Sequence, residues 1–403
     1  MPLDTLKIKK EFPPIPDGVY LDSAATSLTP LAVMDAELEY YTDFRANVHR
    51  GFFKEAVRAT ERYEEVRKRV AAFIHADPEE IIFTSGATES SNMFVRMIDE
   101  SAVVAGERME ILSTVMEHHA GLVPLQQFAR RRGLPLRLIP MKGVALDYEE
   151  GAQMITKKTA LLSVMLASNV SGAINDVHLL AGLAHREGAI VVVDATAAAG
   201  HIPIDVQQLG CDALYFSGHK MFAPTGVGVL FVKRELLEKL SPSVFGGHMI
   251  SHVGEQVSEW AEIPSRFEAG TKNIAGVIGL GAAIDFLERH DVNEIHGHVK
   301  ELVTYAVIEL EKIPGVTVIA EKDPEKNIGI VSFVCAWAHP HDVAEILARD
   351  NVAVRPGHHC AILLHAALRI PASTRASFHL YNSKNDVDML VESVKKACAI
   401  FTQ

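Results

Sequence analysis

Short apolar runs recur between residues 81 and 232, at 81–84, 110–114, 134–139, 161–165, 190–193, 214–216 and 227–232. Each is too short for a buried helix, and the stretches between them carry apolar residues three and four positions apart, so the chain reads as strand alternating with helix. Successive βα units lay strands side by side in one direction and cover both faces of the sheet with helices. The expectation is an α/β fold with a mainly parallel, seven-stranded sheet. Helical spacing also predicts helices over 31 to about 44 and 54 to about 75, joined by the loop Ala46-Asn47-Val48-His49-Arg50-Gly51. Ahead of them, residues 11–18 carry the proline and glycine of a loop, and 19–21 form a brief strand-like run into the small residues 22–27.

Beyond 284–287 the composition shifts. A helix near 292–310, strands around 316–318 and 328–333, and helices at 342–349 and 387–401 read as a smaller α+β domain. The expected division is an N-terminal arm over 1–30, a large domain over 31–290 and a small domain over 291–403. A net charge of −12, with no basic run longer than Arg130-Arg131-Arg132, argues against nucleic acid as a partner. Four cysteines, Cys211, Cys335, Cys360 and Cys398, are too few and too scattered for a disulfide framework or a zinc ribbon, so a reducing cytoplasm is the expected location. No apolar stretch reaches membrane-spanning length and the first residues lack a signal-peptide core, so neither membrane insertion nor secretion is expected.

The run ending in Asp194 and the run preceding Ser217-Gly218-His219-Lys220 are neighbours in this scheme. Ligands of open parallel sheets bind outside the carboxyl ends of the strands, so Asp194 and Lys220 should face one crevice. An acid and an amine so placed suit pyridoxal phosphate, which needs a lysine for covalent attachment and an acid to keep its pyridine nitrogen protonated. Either residue alone would read as an ordinary surface group.

Other strand ends supply company. Phe83-Thr84-Ser85-Gly86-Ala87-Thr88 passes from a strand into a helix, where free N–H groups and the Thr88 hydroxyl suit a phosphate. A plain capping box by Ser85 or Thr88 is the alternative. His118, just past a strand, could stack on a pyridine ring and exchange protons. Asn169, in Ser168-Asn169-Val170-Ser171-Gly172, could bond a ring oxygen or a carboxylate, and Ser217 and His219 could hold phosphate oxygens.

Later in the chain, Arg355-Pro356-Gly357-His358-His359-Cys360 puts a thiol in a polar loop beside cationic groups that favour the nucleophilic thiolate, whereas Cys335 and Cys398 sit in apolar settings. Arg375 could bind a carboxylate bidentately, or simply be a surface arginine. The histidines His118, His119, His358 and His359 with Cys360 also permit a zinc-binding reading. Adjacent side chains diverge, however, and no second ligand pair has suitable spacing, so no metal is expected.

These stretches, with LDSAAT at 21–26, ANVHRG at 46–51, EHHA at 117–120, SNVSG at 168–172, SGHKMFAPTG at 217–226, RFEAGT at 266–271 and VRPGHHCA at 354–361, resemble the SufS-like cysteine desulfurases of the class V aminotransferase family. The resemblance covers nearly the whole chain. It implies fold type I architecture and a homodimer with active sites at its interface. Lys220 would carry pyridoxal 5′-phosphate, Asp194 would pair with the pyridine nitrogen, and His118 would stack on the ring and move protons. Ala87, Thr88, Ser217 and His219 would hold the phosphate, with Thr271 reaching the phosphate of the other subunit.

In the same resemblance Arg375, Asn169 and Arg355 would bind the carboxylate of L-cysteine. Cys360 would take the sulfur as a persulfide and leave L-alanine, and the sulfur would pass to an acceptor protein and an iron–sulfur scaffold. The chain departs from the family in two places. Ala197 stands where relatives typically carry a glutamine that bonds the ring oxygen, with Thr196 a candidate replacement, and Gly51-Phe52-Phe53 replaces a histidine-bearing run. Selenocysteine lyase and class V aminotransferase are the rival activities on the same scaffold.

Overall fold

The computed structural model describes residues 3–14, 18–101, 103–104 and 109–402. Of the loop expected over 11–18, residues 15–17 lie outside the described residues.

All seven expected runs are strands of one sheet: β1 (Ile81–Thr84), β2 (Glu110–Thr114), β3 (Leu136–Ile139), β4 (Thr159–Met165), β5 (Ile190–Asp194), β6 (Ala213–Ser217) and β7 (Gly228–Val232). The spatial order is β1-β7-β6-β5-β4-β2-β3. Pairing is parallel from β6 through β3, whereas β7 runs antiparallel to both of its neighbours.

Both faces are covered, as the apolar character of the strands requires. Leu214 and Phe216 of β6 pack into one core with Leu162, Val164, Val191 and Val193, while Ala213 and Tyr215 pack into the other with Leu161 and Val192. That is the period-two alternation of a strand, with neither face left to water. Helices α1 (Leu31–Asp43) and α2 (Lys54–Phe73) precede the sheet, and α3 (Ala87–Glu100), α4 (His119–Arg132) and α5 (Val177–Arg186) connect its strands. Helix α6 (Ile274–His290) packs against both α1 and α2. Helix α4 ends at Gly133 in the left-handed conformation (φ 65°), which lets its N–H close the last turn.

Helices α7 (Val292–Glu311), α8 (Pro340–Arg349) and α9 (Lys384–Phe401) accompany a second, antiparallel sheet. Its strands are β8 (Val316–Ile319), β9 (Ile330–Cys335), β10 (Arg355–Gly357) and β11 (Ser373–Ser377), in the order β8-β9-β11-β10. Helix α9 begins before residue 387 because Ser383 and Asp386 form a capping box. The N-terminal segment does not stand apart: Val19–Tyr20 pairs in parallel with Val352–Ala353, and Asp22 bridges to Ser377. Among the described residues no helix is long and apolar enough to cross a membrane.

Candidate active site

Asp194 is the last residue of β5, and Lys220 closes a single 3-10 turn, Gly218–Lys220, directly after β6. Both line a cleft of about 700 Å³ at the carboxyl ends of the strands. Gly218 is required in that turn, since a Cβ there would sit 2.9 Å from Val227 Cγ1. The small residues 22–27 fold over it: Ser27 N, Ser27 Oγ and Thr26 Oγ1 all donate to the His219 carbonyl, and Ala24 and Ala25 line the cleft.

One end of the cleft is the N-terminus of α3. Gly228 brings the backbone of β7 so near that a Cβ on it would lie 2.4 Å from Gly86 Cα. No side chain caps the helix; Ala87 N donates instead to Ser217 Oγ at 2.7 Å. The capping box by Ser85 or Thr88 therefore does not form, and Ser85 N is bound by Glu89 Oε2 at 2.5 Å. Ala87, Thr88, Ser217 and His219 share this end of the cleft, where the helix dipole favours an anion.

On the opposite side His118 is the N-cap of α4, its Nδ1 accepting from Ala120 N at 3.0 Å. That bond places the ring proton on Nε2. Burial, with the positive charge of Lys220 next, pushes His118 down to about 3, so the ring is neutral at ordinary pH. Burial, followed by Arg375, also lowers Lys220 to about 8, and His219 is lowered to about 4 by burial and Lys220. Asp194 is raised by burial, against the pull of Thr196, first its nearby hydroxyl and then its amide, which donates to Oδ1 at 2.8 Å, and of Lys220.

The second sheet supplies the remaining wall. Arg355 on β10 pairs in register with Arg375 on β11, so both guanidinium groups enter the cleft from one edge. The surface reading of Arg375 is overturned: it is 0% exposed. Strand β11 carries it inward, and its Nη1 donates to Asn169 O and its Nη2 to Asp22 Oδ1, both at 2.9 Å, while Nε has no protein partner.

Cys360 follows β10, with its Sγ 3.9 Å from Arg355 Nη2. Its loop is held to the start of α4 and the loop after β4 by three bonds: Asn169 Nδ2 to His359 O (2.7 Å), His119 N to Cys360 O (2.8 Å) and Ile362 N to His119 Nε2 (3.2 Å). His359 and Cys360 both take left-handed conformations, φ 51° and 58°. Asn169 thus spends a donor on the cysteine loop rather than keeping its whole amide for a ligand.

Thr271 does not line this cleft. It borders a second cavity of about 470 Å³ with His49, Arg50, His248 and Lys272. Beneath that cavity Glu268 is buried, accepting from Arg67 Nη1 (2.9 Å) and Phe83 N (2.7 Å). Among the described residues no group of three or more His, Cys, Asp or Glu side chains is arranged to hold a metal. The histidines of the zinc reading are engaged separately, His118 and His119 as above and His359 Nε2 with Ser373 Oγ at 3.0 Å.

The donor set fits pyridoxal phosphate: an amine, a facing carboxylate and a helix N-terminus line one cleft, and Asn169 Oδ1 and Thr196 Oγ1 on its wall are buried without hydrogen-bond partners. Ala197 lines the same wall. Two residues here had no role assigned from sequence, Glu117 and Tyr215. A glutamate inside Val115-Met116-Glu117-His118, between a buried strand and a helix, was the available signal.

Residues 19–390 match the family model Aminotransferase class-V. The chain belongs to the class V aminotransferase family. A probable cysteine desulfurase of Halalkalibacterium halodurans is 46% identical over 403 residues, 98% of each chain, and one of Streptomyces coelicolor is 42% identical over 98% of this chain and 97% of its own. Among solved structures, an apo cysteine desulfurase of Thermococcus onnurineus superposes with a TM-score of 0.94 at 39% identity, covering 98% of each chain. The cysteine desulfurase CsdA of Escherichia coli gives 0.91 at 38% identity, covering 99% of each. The fold type I architecture implied by the motifs is therefore this member's fold, and its family is the one they resembled.

Proposed function

We propose that the protein is a pyridoxal-phosphate-dependent cysteine desulfurase, taking the sulfur of L-cysteine onto Cys360 and releasing L-alanine. The observation that carries this reading is the loop of Cys360, pinned by Asn169 and His119 to the loop after β4 and the start of α4. Transamination uses no thiol, so a cysteine whose loop is bonded to Asn169 and whose Sγ lies 3.9 Å from Arg355, both lining the cleft, favours desulfuration over the aminotransferase reading.

Pyridoxal phosphate, when bound, supplies an electron-accepting ring conjugated to the Cα of the amino acid. Of the residues that line the cleft, Lys220 would be its attachment point, Asp194 would meet the pyridine nitrogen, and the N-terminus of α3 with Ser217, His219 and Thr88 would hold the phosphate. Thr196 Oγ1 is the donor available where Ala197 has none. Arg375 and Arg355 grip the carboxylate of cysteine. The Lys220 amine, lowered by burial, exchanges a proton with Cα, and neutral His118 donates from Nε2.

The Cys360 thiolate attacks Sγ of the substrate. The Cβ–Sγ bond breaks, an S–S bond forms, and Cβ takes up a proton, so cysteine plus thiol becomes alanine plus persulfide. Delivery of that sulfur to an acceptor protein and an iron–sulfur scaffold, in the cytoplasm, completes the reading.

A homodimer is part of the proposal. Met34, Leu38 and Tyr41 form an exposed stripe on α1, and Phe52 and Phe53 are exposed beside the cavity of Thr271 and Arg50. A second copy covering this face would place Thr271 at the partner's phosphate. The test is alanine release from L-cysteine with a thiol reductant: wild type turns over, Lys220→Ala and Cys360→Ala do not. Full-rate release by Cys360→Ala would overturn the assignment.

A further inference from the structure

Behind Asp194, on the side away from the cleft, three oxygens converge. A Cβ built on Gly121 would lie 2.9 Å from Tyr215 Oη, 3.5 Å from Glu117 Oε2 and 4.0 Å from Asp194 Oδ2. All three side chains are buried; neither Tyr215 Oη nor Glu117 Oε2 makes a direct hydrogen bond in the structure, and Ser91 and Asp194 lie near Tyr215 Oη. Glu117 Oε1, by contrast, already accepts from Thr114 Oγ1 at 2.8 Å and Met165 N at 2.9 Å, and Thr114 Oγ1 accepts from Met116 N at 3.1 Å, which leaves its hydroxyl hydrogen for Glu117. A carboxyl group with one oxygen occupied by donors and the other facing a phenol and a second carboxylate has a defined place for a proton, on Oε2.

We propose that Glu117 is a positioning residue for the coenzyme: its Oε2–H donates toward Tyr215 Oη, Tyr215 donates toward Asp194 Oδ2, and Asp194 alone carries the negative charge that meets the pyridine nitrogen. The proposal rests on the reading that Asp194 faces that nitrogen. Two ionised carboxylates here, without a cation between them, would repel in a poorly solvated site. Consistently, burial and then the charge of Asp194 push Glu117 up to about 8, and Tyr215 is raised by burial, Asp194 and Glu117. The other groups facing the trio are Thr114 at the end of β2, the Met165 amide of β4 and Ser91 of α3. Lys220 acts on Asp194 from the cleft side, and His118 is the next residue in the chain.

The test is infrared difference spectroscopy on the purified holoprotein, comparing wild type with Glu117→Gln and Tyr215→Phe. Wild type should show the C=O stretch of a protonated buried carboxyl group at pH 7, absent in Glu117→Gln and shifted in Tyr215→Phe, where its acceptor is gone. Tyr215→Phe should also weaken coenzyme affinity, read from the visible absorbance, by roughly tenfold, the loss of one hydrogen bond to a charged group. Melting adds a second readout. The unfolded carboxyl group loses its proton above its ordinary value of 4.5 while the folded one keeps it to about 8. Wild type should therefore fall behind Glu117→Gln by about 5 °C between pH 5 and 8.

Absence of the stretch in wild type, or a stretch and coenzyme affinity both indifferent to Tyr215→Phe, overturns the proposal. A wild-type protein that shows the stretch yet binds no coenzyme overturns the proposed function instead.

Discussion

Arg375→Lys keeps the charge at the floor of the cleft but removes the fork. In the native site Nη1 serves Asn169 O and Nη2 serves Asp22 Oδ1, each at 2.9 Å, and Nε is left for a ligand. An ammonium at the end of a flexible stem cannot hold these diverging directions together. Hydrogen bonds to charged groups contribute about 1.5–3 kcal/mol each. Losing the one made to substrate should raise KM for L-cysteine roughly 30-fold, the equivalent of about 2 kcal/mol.

Losing one structural bond should lower the melting temperature by roughly 2–3 °C for a chain of this size. The assay is alanine formation against cysteine concentration at fixed coenzyme saturation, together with a melting curve of each protein. A KM within twofold of wild type, with unchanged melting, would refute the placement of Arg375 as both carboxylate site and keystone between Asp22 and Asn169.

Cys360→Gly should abolish sulfur transfer yet raise stability by roughly 1 kcal/mol, because glycine adopts the φ of 58° without strain; a lower urea midpoint would contradict this. Gly121→Ala should be destabilised by about 1–3 kcal/mol through overpacking against Tyr215 Oη, 2.9 Å from the new methyl group, with weakened coenzyme retention on dialysis. His201 is buried with its ring 4.1 Å from that of His379, and burial pushes it down to about 3 from an ordinary 6.5. The unfolded imidazole takes a proton below about 6.5 and the folded one does not until about 3, so stability is lost as pH falls through that window. His201→Gln should flatten the decline by about 1.4 kcal/mol per pH unit in urea titrations, and equal slopes for the two proteins would refute it.

The large sheet was legible because its strands are buried on both faces and are therefore written as unbroken apolar runs. The reversal of β7 was not, since Val227 to Val232 reads the same in either direction. Strands β10 and β11 also escaped detection. Arg355-Pro356-Gly357 and Ser373-Thr374-Arg375-Ala376-Ser377 are mostly polar, and they are strands because they pair with each other, 373–377 buried and 355–357 half-buried, a tertiary effect that local sequence does not show. That is why Arg375 read as equally suited to surface or cleft.

Asp194, Lys220 and the start of α3 announced themselves by their positions at strand ends. Glu117 lies one residue before the expected His118, and the approach of its Oε2 to Tyr215 across Gly121 depends on two segments far apart in sequence. Thr271 was singled out only by the family motif, and within one chain it borders a cavity separate from the cleft.

The central claim is that a coenzyme on Lys220 drives sulfur onto Cys360, and mass spectrometry after a brief exposure to L-cysteine tests it most directly. Wild type should carry one added sulfur atom on the peptide containing Cys360, removable by reductant, and Lys220→Ala should carry none. An unmodified Cys360 peptide in a wild-type protein that is yellow and releasing alanine, or the same added mass in Lys220→Ala, would contradict the account.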